Sequence, residues 1–410
     1  MRRVAITGIG LLCPLGRHPQ AVFDRALAGT SAVTAIAAPY AERLQTGIAA
    51  QVTFDPAEHF PKAKYGALDR VSQFALVSAR DALADAGLDP FRLDPERVGV
   101  HMGTGMGGAG TLEESYARLY GAGNPRVKPL TVPMAMNNAA AAQIALEYGF
   151  TGPNLTYSTA CSSSAVAIGE AGRRIRHGEA DVMLAGGAEA LLTYGTLLAW
   201  EALRTLAASP EHNLASACRP FARDRSGFVL GEGAACLVLE ERDAARARGA
   251  RIYAELTGYG LANDAAHLTQ PSAEGQARAI RRALCDGGVE AAAIGYINAH
   301  GTGTQANDAT ETAALKVALG DHAKAVPISS TKAIHGHLMG AAGALEFALT
   351  VLALARQAIP PTAHLWHADP ACDLDYVALQ ARDDVKISHA LSQSFAFGGT
   401  GAVLVASRVA

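Results

Sequence analysis

The sequence predicts a layered α/β fold, and three observations carry that prediction. Short β-rich runs such as Val4 to Thr7, Val98 to Val100 and Val182 to Ala185 alternate with longer helix-like segments, Ala67 to Gly87 and Ser162 to His177 among them. The strand-like runs are apolar throughout rather than every second residue, the pattern of sheets covered by helices on both faces. Composition agrees: of the 410 residues, 50% are hydrophobic and 18% charged, which suits a large packed interior and not a disordered or fibrous chain.

Taken in order, the N-terminal stretch MRRVAITGIGLLCPLG sets a basic pair before an apolar run. Gly8, Gly10 and Pro14 interrupt it, so it reads as a buried strand entering a loop and not as a signal peptide. A similar strand, Thr-Gly and small-residue turn returns in ARIYAELTGYGLAND at 250 to 264, after the charged stretch EERDAARARGAR. A chain of this length is more naturally two packed units than one. The echo therefore points to duplication, with halves at 1–250 and 251–410, although two such turns also arise by chance.

Charge and cysteine usage narrow the function classes. The formal net charge of −3 provides no overall basic field for nucleic acid, so any electropositive contact has to be local. The six cysteines lie scattered with no CxxC pair, which indicates reduced thiols and neither a zinc site nor a disulfide framework. No run reaches the roughly 18 uncharged apolar residues of a membrane span. A cytoplasmic protein is expected.

Four segments carry chemistry. In TYSTACSSSAVAIG, Cys161 stands between a short strand and an amphipathic run, so its thiol falls at a helix N-terminus, where backbone amides and the helix dipole favour a thiolate. Most cysteines in apolar segments are simply packed small side chains, the ordinary reading for the other five. In NAHGTGTQANDATE, His300 follows a strand and opens a turn where Gly301 and Gly303 admit a ligand's backbone and Thr302 and Thr304 offer hydroxyls. Glu311, further on, is placed to orient a neighbour. In SSTKAIHGHLMGAAG, Lys332 and His337 precede a helix of small residues that can pack very closely. Near the C-terminus, SFAFGGTG joins aromatic residues to glycines, as a loop closing over a site or a buried turn between strands would.

In this order and spacing, TACSSS, NAHGTGTQANDATE, STKAIHGHLMGAAGALE and SFAFGGTG resemble the β-ketoacyl-acyl-carrier-protein synthases of the elongating type, ketosynthase II. The resemblance extends to GTGMGGAG at 103–110 and RPFARDRSGFVLGEGAACLVLE at 219–240, and so covers essentially the whole chain. It implies the thiolase-like fold, with duplicated halves in a five-layered αβαβα sandwich. It also implies a decarboxylative Claisen condensation of a Cys-bound acyl chain with malonyl-acyl-carrier protein in fatty-acid elongation. By the same resemblance Cys161 is the acylated nucleophile, His300 and His337 the active-site histidines, Lys332 the lysine of their network and Glu311 the buried acid. Thr302 and Thr304 would bind the phosphopantetheine arm, and Phe397, with Gly398 and Gly399, would form the gate and complete the oxyanion hole. Met106, Thr131 and Trp200 would shape the acyl pocket. Lys62, Lys64, Arg126, Lys128 and Arg204 would meet an acidic carrier protein. No cofactor or metal is implied, because the carrier brings the phosphopantetheine, and the expected assembly is a homodimer.

The chain departs from the housekeeping pattern in several places. Gly401 stands where asparagine usually follows Thr400, Gln393 replaces a common asparagine, and Gln305 replaces a frequent proline. Thr131 lies where a bulky aromatic often narrows the chain pocket, and His335 adds an imidazole beside His337. A specialised polyketide or polyene ketosynthase, paired with a nucleophile-less paralogue in a heterodimer, is the alternative reading. A non-catalytic chain-length subunit is disfavoured by Cys161, His300, His337 and Lys332 occurring together. A thiolase using coenzyme A would carry a second catalytic cysteine where this chain has SFAFGGTG.

Overall fold

In the computed structural model, which describes residues 2–210 and 212–409, the glycine echo has a physical cause. The strands are β1 (Val4–Leu12), β2 (Val33–Ala35), β3 (Ile48–Ala50), β4 (Val98–Gly103), β5 (Asn154–Tyr157), β6 (Val182–Glu189), β7 (Gly233–Glu241), β8 (Ala254–Asn263), β9 (Ile294–Asn298), β10 (Ile328–Ser329), β11 (His389–Phe395) and β12 (Thr400–Ser407). Strands β2 and β3 form a separate small hairpin, and the rest make a ten-stranded sheet in the order β10-β9-β11-β12-β8-β1-β7-β6-β4-β5.

Read outward from its centre, this sheet repeats itself. On one side β1 pairs antiparallel with β7 and β7 antiparallel with β6, then β4 joins β6 and β5 joins β4 in parallel. On the other side β8, β12, β11, β9 and β10 follow the same sequence of directions. The halves join between β1 and β8 through only two pairings, Ala5 with Glu255 and Ile6 with Ala254.

Each half packs an outer helix against its central strand in the same way. A Cβ on Gly8 or Gly10 would lie 2.2 or 1.9 Å from the carbonyl oxygen of Ala82 or Ser78 in the helix Arg70–Asp85. On Gly258 or Gly260 it would lie 2.3 or 2.1 Å from those of Ala283 or Ala279 in the helix Ala273–Gly287. Asp85 at the end of the first helix accepts the Ile9 amide at 2.9 Å, and Asp286 accepts the Tyr259 amide at 2.9 Å. The Thr-Gly-X-Gly echo thus records one strand-to-helix contact built twice, so close that only glycine fits.

Between the two halves lie the helices Ser163–Arg176 and Ala342–Arg356, whose side chains share one apolar core with strands from both. Small residues let them meet. Gly343 sits where a Cβ would press Ala165 at 2.9 Å, and the Ser164 hydroxyl accepts the Ala344 amide at 2.9 Å. The resulting layers are helix, one half of the sheet, helix, the other half of the sheet, helix. Among the described residues one segment, Met339–Arg356, is long and apolar enough to cross a membrane, and 89% of it is buried in this central layer. The first of these central helices follows β5 and the second follows β10, the two edge strands, and the candidate residues Cys161, Lys332 and His337 lie in the connections that lead into them.

Gly10→Ala should lower stability by about 2 kcal/mol through overpacking against the helix Arg70–Asp85, read as a reduced urea midpoint at unchanged slope. An unchanged midpoint would contradict the close-contact reading.

Candidate active site

Cys161 stands in a tight turn, Ala160–Ser162, immediately before the helix Ser163–Arg176. Ala160 adopts φ +49°, an uncommon conformation for a residue with a Cβ. Hydroxyls brace the turn: Ser163 donates to the Ala160 carbonyl at 2.6 Å and accepts the Thr159 amide at 2.9 Å, while Ser162 donates to the Thr159 carbonyl at 2.9 Å. The serines on either side of the turn therefore brace it.

His300 leaves the end of β9 on a loop that Glu311 holds from behind. Glu311, fully buried in the helix Gln305–Leu319, accepts the amides of His300 and Gly301 at 2.7 Å each and the Asn307 side-chain amide at 3.2 Å. The same loop is closed by Thr304, which caps that helix by accepting the Asn307 amide at 3.2 Å, with the Thr302 and Thr304 hydroxyls 2.9 Å apart. Burial pushes the Glu311 carboxyl up to about 7, against the pull of the two amides. Glu311 thus shapes the loop and does not pair with Lys332.

The carboxylate beside Lys332 is Glu346, which the sequence reading did not single out. Lys332, with no exposed surface, lies 2.5 Å from Glu346, donates to the His300 carbonyl at 2.6 Å and faces His300 Nδ1 at 3.4 Å. A signal was present: apart from the terminal Arg356, Glu346 is the sole charge in the helix Ala342–Arg356, and a buried acid in such a helix needs a cation. Burial pushes the Glu346 carboxyl up and the Lys332 ammonium pulls it back.

His337 sits past Gly336, with its amide bonded to the Val229 carbonyl at 2.7 Å. The Met339 amide donates to its Nδ1 at 3.2 Å, so the ring proton is carried on Nε2, which has no partner among the described residues. For His300, the ammonium facing Nδ1 likewise assigns the proton to Nε2. The rings lie 5.5 Å apart at 82°, with Phe228 against His337 and Phe395 against His300. Burial, the charge of Lys332 and a neighbouring imidazole push both histidines well below 6.5, so both are neutral. The added imidazole, His335, is also buried, within reach of the Gly336 carbonyl at 2.7 Å and the Thr331 hydroxyl at 3.0 Å.

The Cys161 sulfur and one nitrogen of each histidine lie within 4.8 Å of one another, the spacing of a metal site. The groups around the rings do not suit one. A ligating imidazole donates its other N–H to an acceptor, whereas both Nδ1 atoms here face donors. The arrangement presents two N–H donors to a pocket. That pocket is also lined by Trp200, Phe228, Thr302, Thr304, Phe397, Gly399 and the segment His267–Pro271.

The wall at Phe397 belongs to the turn between β11 and β12. Gly398 and Gly399 have φ +84° and +82°, which supports the tight reversal, and the Leu268 carbonyl accepts the Gly398 amide at 2.8 Å. Trp200 stacks on Phe397 at 6.3 Å. The Cys161 thiol is pushed up to about 12 by burial, opposed by Lys332 and by hydrogen bonds from the Phe397 and Cys161 amides. The helix N-terminus therefore does not yield a resting thiolate, as the sequence position suggested, because desolvation outweighs it.

Other expected residues lie elsewhere. Met106 and Thr131 do not line this pocket: Met106 is 42% exposed on a loop after β4, and Thr131 is buried with its hydroxyl 3.4 Å from that of Ser115. Of the expected docking cations, Lys64 is paired with Glu147 and Lys128 with Glu114. Lys62, Arg126 and Arg204 are exposed and form no ion pair among the described residues.

Comparison with known proteins gives a consistent result. Residues 1–245 match the family described as beta-ketoacyl synthase, N-terminal domain, and residues 253–366 match its C-terminal domain. The chain is 43% identical to the 3-oxoacyl-[acyl-carrier-protein] synthase 2 of Coxiella burnetii (strain RSA 493 / Nine Mile phase I), over 100% of this chain and 99% of that one. Its structure is similar to the ishigamide ketosynthase/chain length factor, with a TM-score of 0.93 and 35% identity. It is also similar to the type II PKS complex AntDE:AntF, of an acyl-carrier protein with its ketosynthase bound to the hexaketide, with a TM-score of 0.91 and 34% identity. Both alignments cover 100% of each chain.

The thiol and the histidines respond to pH in ways that can be read directly. Alkylation of Cys161 by iodoacetamide, followed by peptide mass, should accelerate about tenfold per pH unit from 6 to 10 without a plateau, since a raised thiol is still mostly protonated there. Over pH 8 to 5.5 the ring resonances of His300 and His337 should not titrate. A plateau below pH 9 would show that the amides and Lys332 overcome burial.

Proposed function

The chain belongs to the β-ketoacyl synthases, and we propose that Cys161, His300 and His337 perform its chemistry in the turns described above. It is a 3-oxoacyl-acyl-carrier-protein synthase of the elongating type, catalysing decarboxylative Claisen condensation in fatty-acid elongation. The observation that carries the residue assignment is the pair of neutral imidazoles presenting Nε2–H donors beside a buried thiol.

In the first half-reaction the Cys161 sulfur attacks the thioester of an acyl-carrier protein. The thiol proton passes to the departing pantetheine sulfur, leaving an acyl-enzyme and a free carrier thiol. The oxyanion is stabilised by the amides of Cys161 and Phe397, each worth about 3 kcal/mol in comparable sites. In the second half-reaction the malonyl-carrier protein loses CO2, and the electron pair of the broken C–C bond passes into a thioester enolate. The Nε2–H groups of His300 and His337 bind its oxygen. The enolate carbon attacks the acyl thioester, a new C–C bond forms, and Cys161 leaves as a thiolate that takes a proton from solvent. The product is a 3-oxoacyl chain two carbons longer.

Neutral histidines suit this role, because an imidazolium would protonate the carbanion, and the aromatic walls exclude water that would do the same. Lys332 holds the two rings neutral and fixes the His300 tautomer, while Glu311 fixes the loop. Thr302 and Thr304 line the pocket as hydroxyls for the amides of the pantetheine arm. Gly398 and Gly399 let the Phe397 turn open and close.

The acyl-carrier protein is the macromolecular substrate, and Lys62, Arg126 and Arg204 supply exposed positive charge for its acidic surface. The exposed edge strand β5, with Leu155 41% exposed, and the exposed Met106, Leu130, Val132 and Met136 support a homodimer through that edge. Met106 and Thr131 then complete the acyl pocket from the covered face. A cytoplasmic location fits the substrate.

Intact mass analysis after incubation with acyl- and malonyl-carrier proteins tests this directly. Wild type should gain one acyl group and release a 3-oxoacyl product, whereas Cys161→Ser should gain none from the acyl carrier. His337→Ala should retain Cys161 acylation within about tenfold and lose malonyl decarboxylation by at least about a hundredfold, the scale of one oxyanion donor. Loss of both steps together would overturn the division of labour.

A further inference from the structure

Glu189, at the end of β6, is a buried carboxylate that the condensation mechanism leaves unused. No part of it is exposed, and no cation pairs with it among the described residues. It is held by four donors: the Gly105 amide at 2.7 Å and the Gly340 amide at 2.9 Å on one oxygen, the Met106 amide at 3.1 Å and the Thr104 hydroxyl at 3.2 Å on the other. Three of the donors belong to the loop after β4. The fourth, Gly340, belongs to the turn that follows His337.

That turn is strained at one residue. Met339 has φ +45°, a conformation that costs a side-chain-bearing residue on the order of 1 kcal/mol or more and persists only where its surroundings impose it. Its amide is the group that donates to His337 Nδ1. The adjacent Gly340 amide is anchored on Glu189, and the Gly340 backbone packs so closely on the other loop that a Cβ would fall 2.3 Å from the Gly105 nitrogen. The chain of contacts therefore runs from Glu189 to the Gly340 amide, through the left-handed Met339, to the nitrogen that decides where the His337 proton resides.

We infer that Glu189 is a positioning residue: by anchoring Gly340 it holds Met339 left-handed, keeps the Met339 amide on His337 Nδ1, and so presents Nε2–H to the malonyl thioester. A glutamine could accept on one side only, and its NH2 would face the donors on the other. The Gly340 anchor would loosen, Met339 could relax, and the imidazole would exchange between tautomers. Decarboxylation, which needs the Nε2–H donor, would suffer; acylation of Cys161, which uses the Cys161 and Phe397 amides, would not.

The inference rests on the proposed role of His337, and the test separates the two. Acylation of Cys161 and malonyl decarboxylation are measured for wild type, Glu189→Gln and Glu189→Asp, with 15N spectra of histidine-labelled protein. Expected for Glu189→Gln are acylation within about threefold of wild type, decarboxylation down at least tenfold at unchanged KM, and a mixture of His337 tautomers in place of Nε2–H alone. Glu189→Asp, which keeps the charge with a shorter reach, should fall between and serves if the glutamine variant does not fold. A folded variant, glutamine or otherwise aspartate, with the wild-type ratio of the two rates and one His337 tautomer would overturn the inference and leave the function intact. Wild type without acylation at Cys161 would instead remove the function on which it rests.

Discussion

The ion pair between Lys332 and Glu346 is the interaction on which the site depends. Both side chains are almost wholly buried, 2.5 Å apart, between the two halves of the sheet. Desolvating two such charges costs several kcal/mol each, and their attraction only roughly offsets it, so the pair is poorly explained as a source of stability. What it supplies is a fixed positive charge beside two histidines in a site without bulk water. That charge, added to burial, keeps both imidazoles neutral and, for His300, dictates which nitrogen bears the proton.

A second constraint is the close approach of backbones in the central layer. Gly103 admits the start of the Cys161 helix, Gly343 admits Ala165, and Gly340 meets Gly105. At each point a Cβ would overlap its neighbour. This packing brings a cysteine from the first half and two histidines from the second within one pocket, although Cys161 and His300 are 139 positions apart in the chain. It also explains why the turns around the site adopt left-handed conformations at Ala160 and Met339: the helices behind them leave no slack.

Burial works against the thiol and for the histidines. It pushes the Cys161 thiol up, so the sulfur rests protonated, and pushes the imidazoles down, so they rest neutral. A site of this kind holds little charge at rest except the lysine pair. In the proposed reaction charge develops at a thioester oxygen, and the backbone amides and Nε2–H donors are in place to receive it. On that reading the preorganised donors are the catalytic device.

Much of the fold was legible along the chain. The apolar strand runs, the helical stretch after Cys161 and the repeated Thr-Gly-X-Gly turn each record a local requirement: burial on two faces, an amphipathic surface, contact too close for a Cβ. Cys161, His300, His337 and Lys332 could be named because their motifs are local as well. Glu346 and Glu189 were not named, since each acts through a contact 14 to 151 residues distant and a lone acid in a strand or helix does not announce its partner. The direction of the Cys161 shift was misjudged for the same reason. The sequence by itself determined the duplicated layers, the residue types of the site and their order. Only the tertiary structure decided which acid serves the lysine, which ring nitrogens carry protons and whether the thiol rests charged, because those depend on burial and on donors arriving from the opposite half of the molecule.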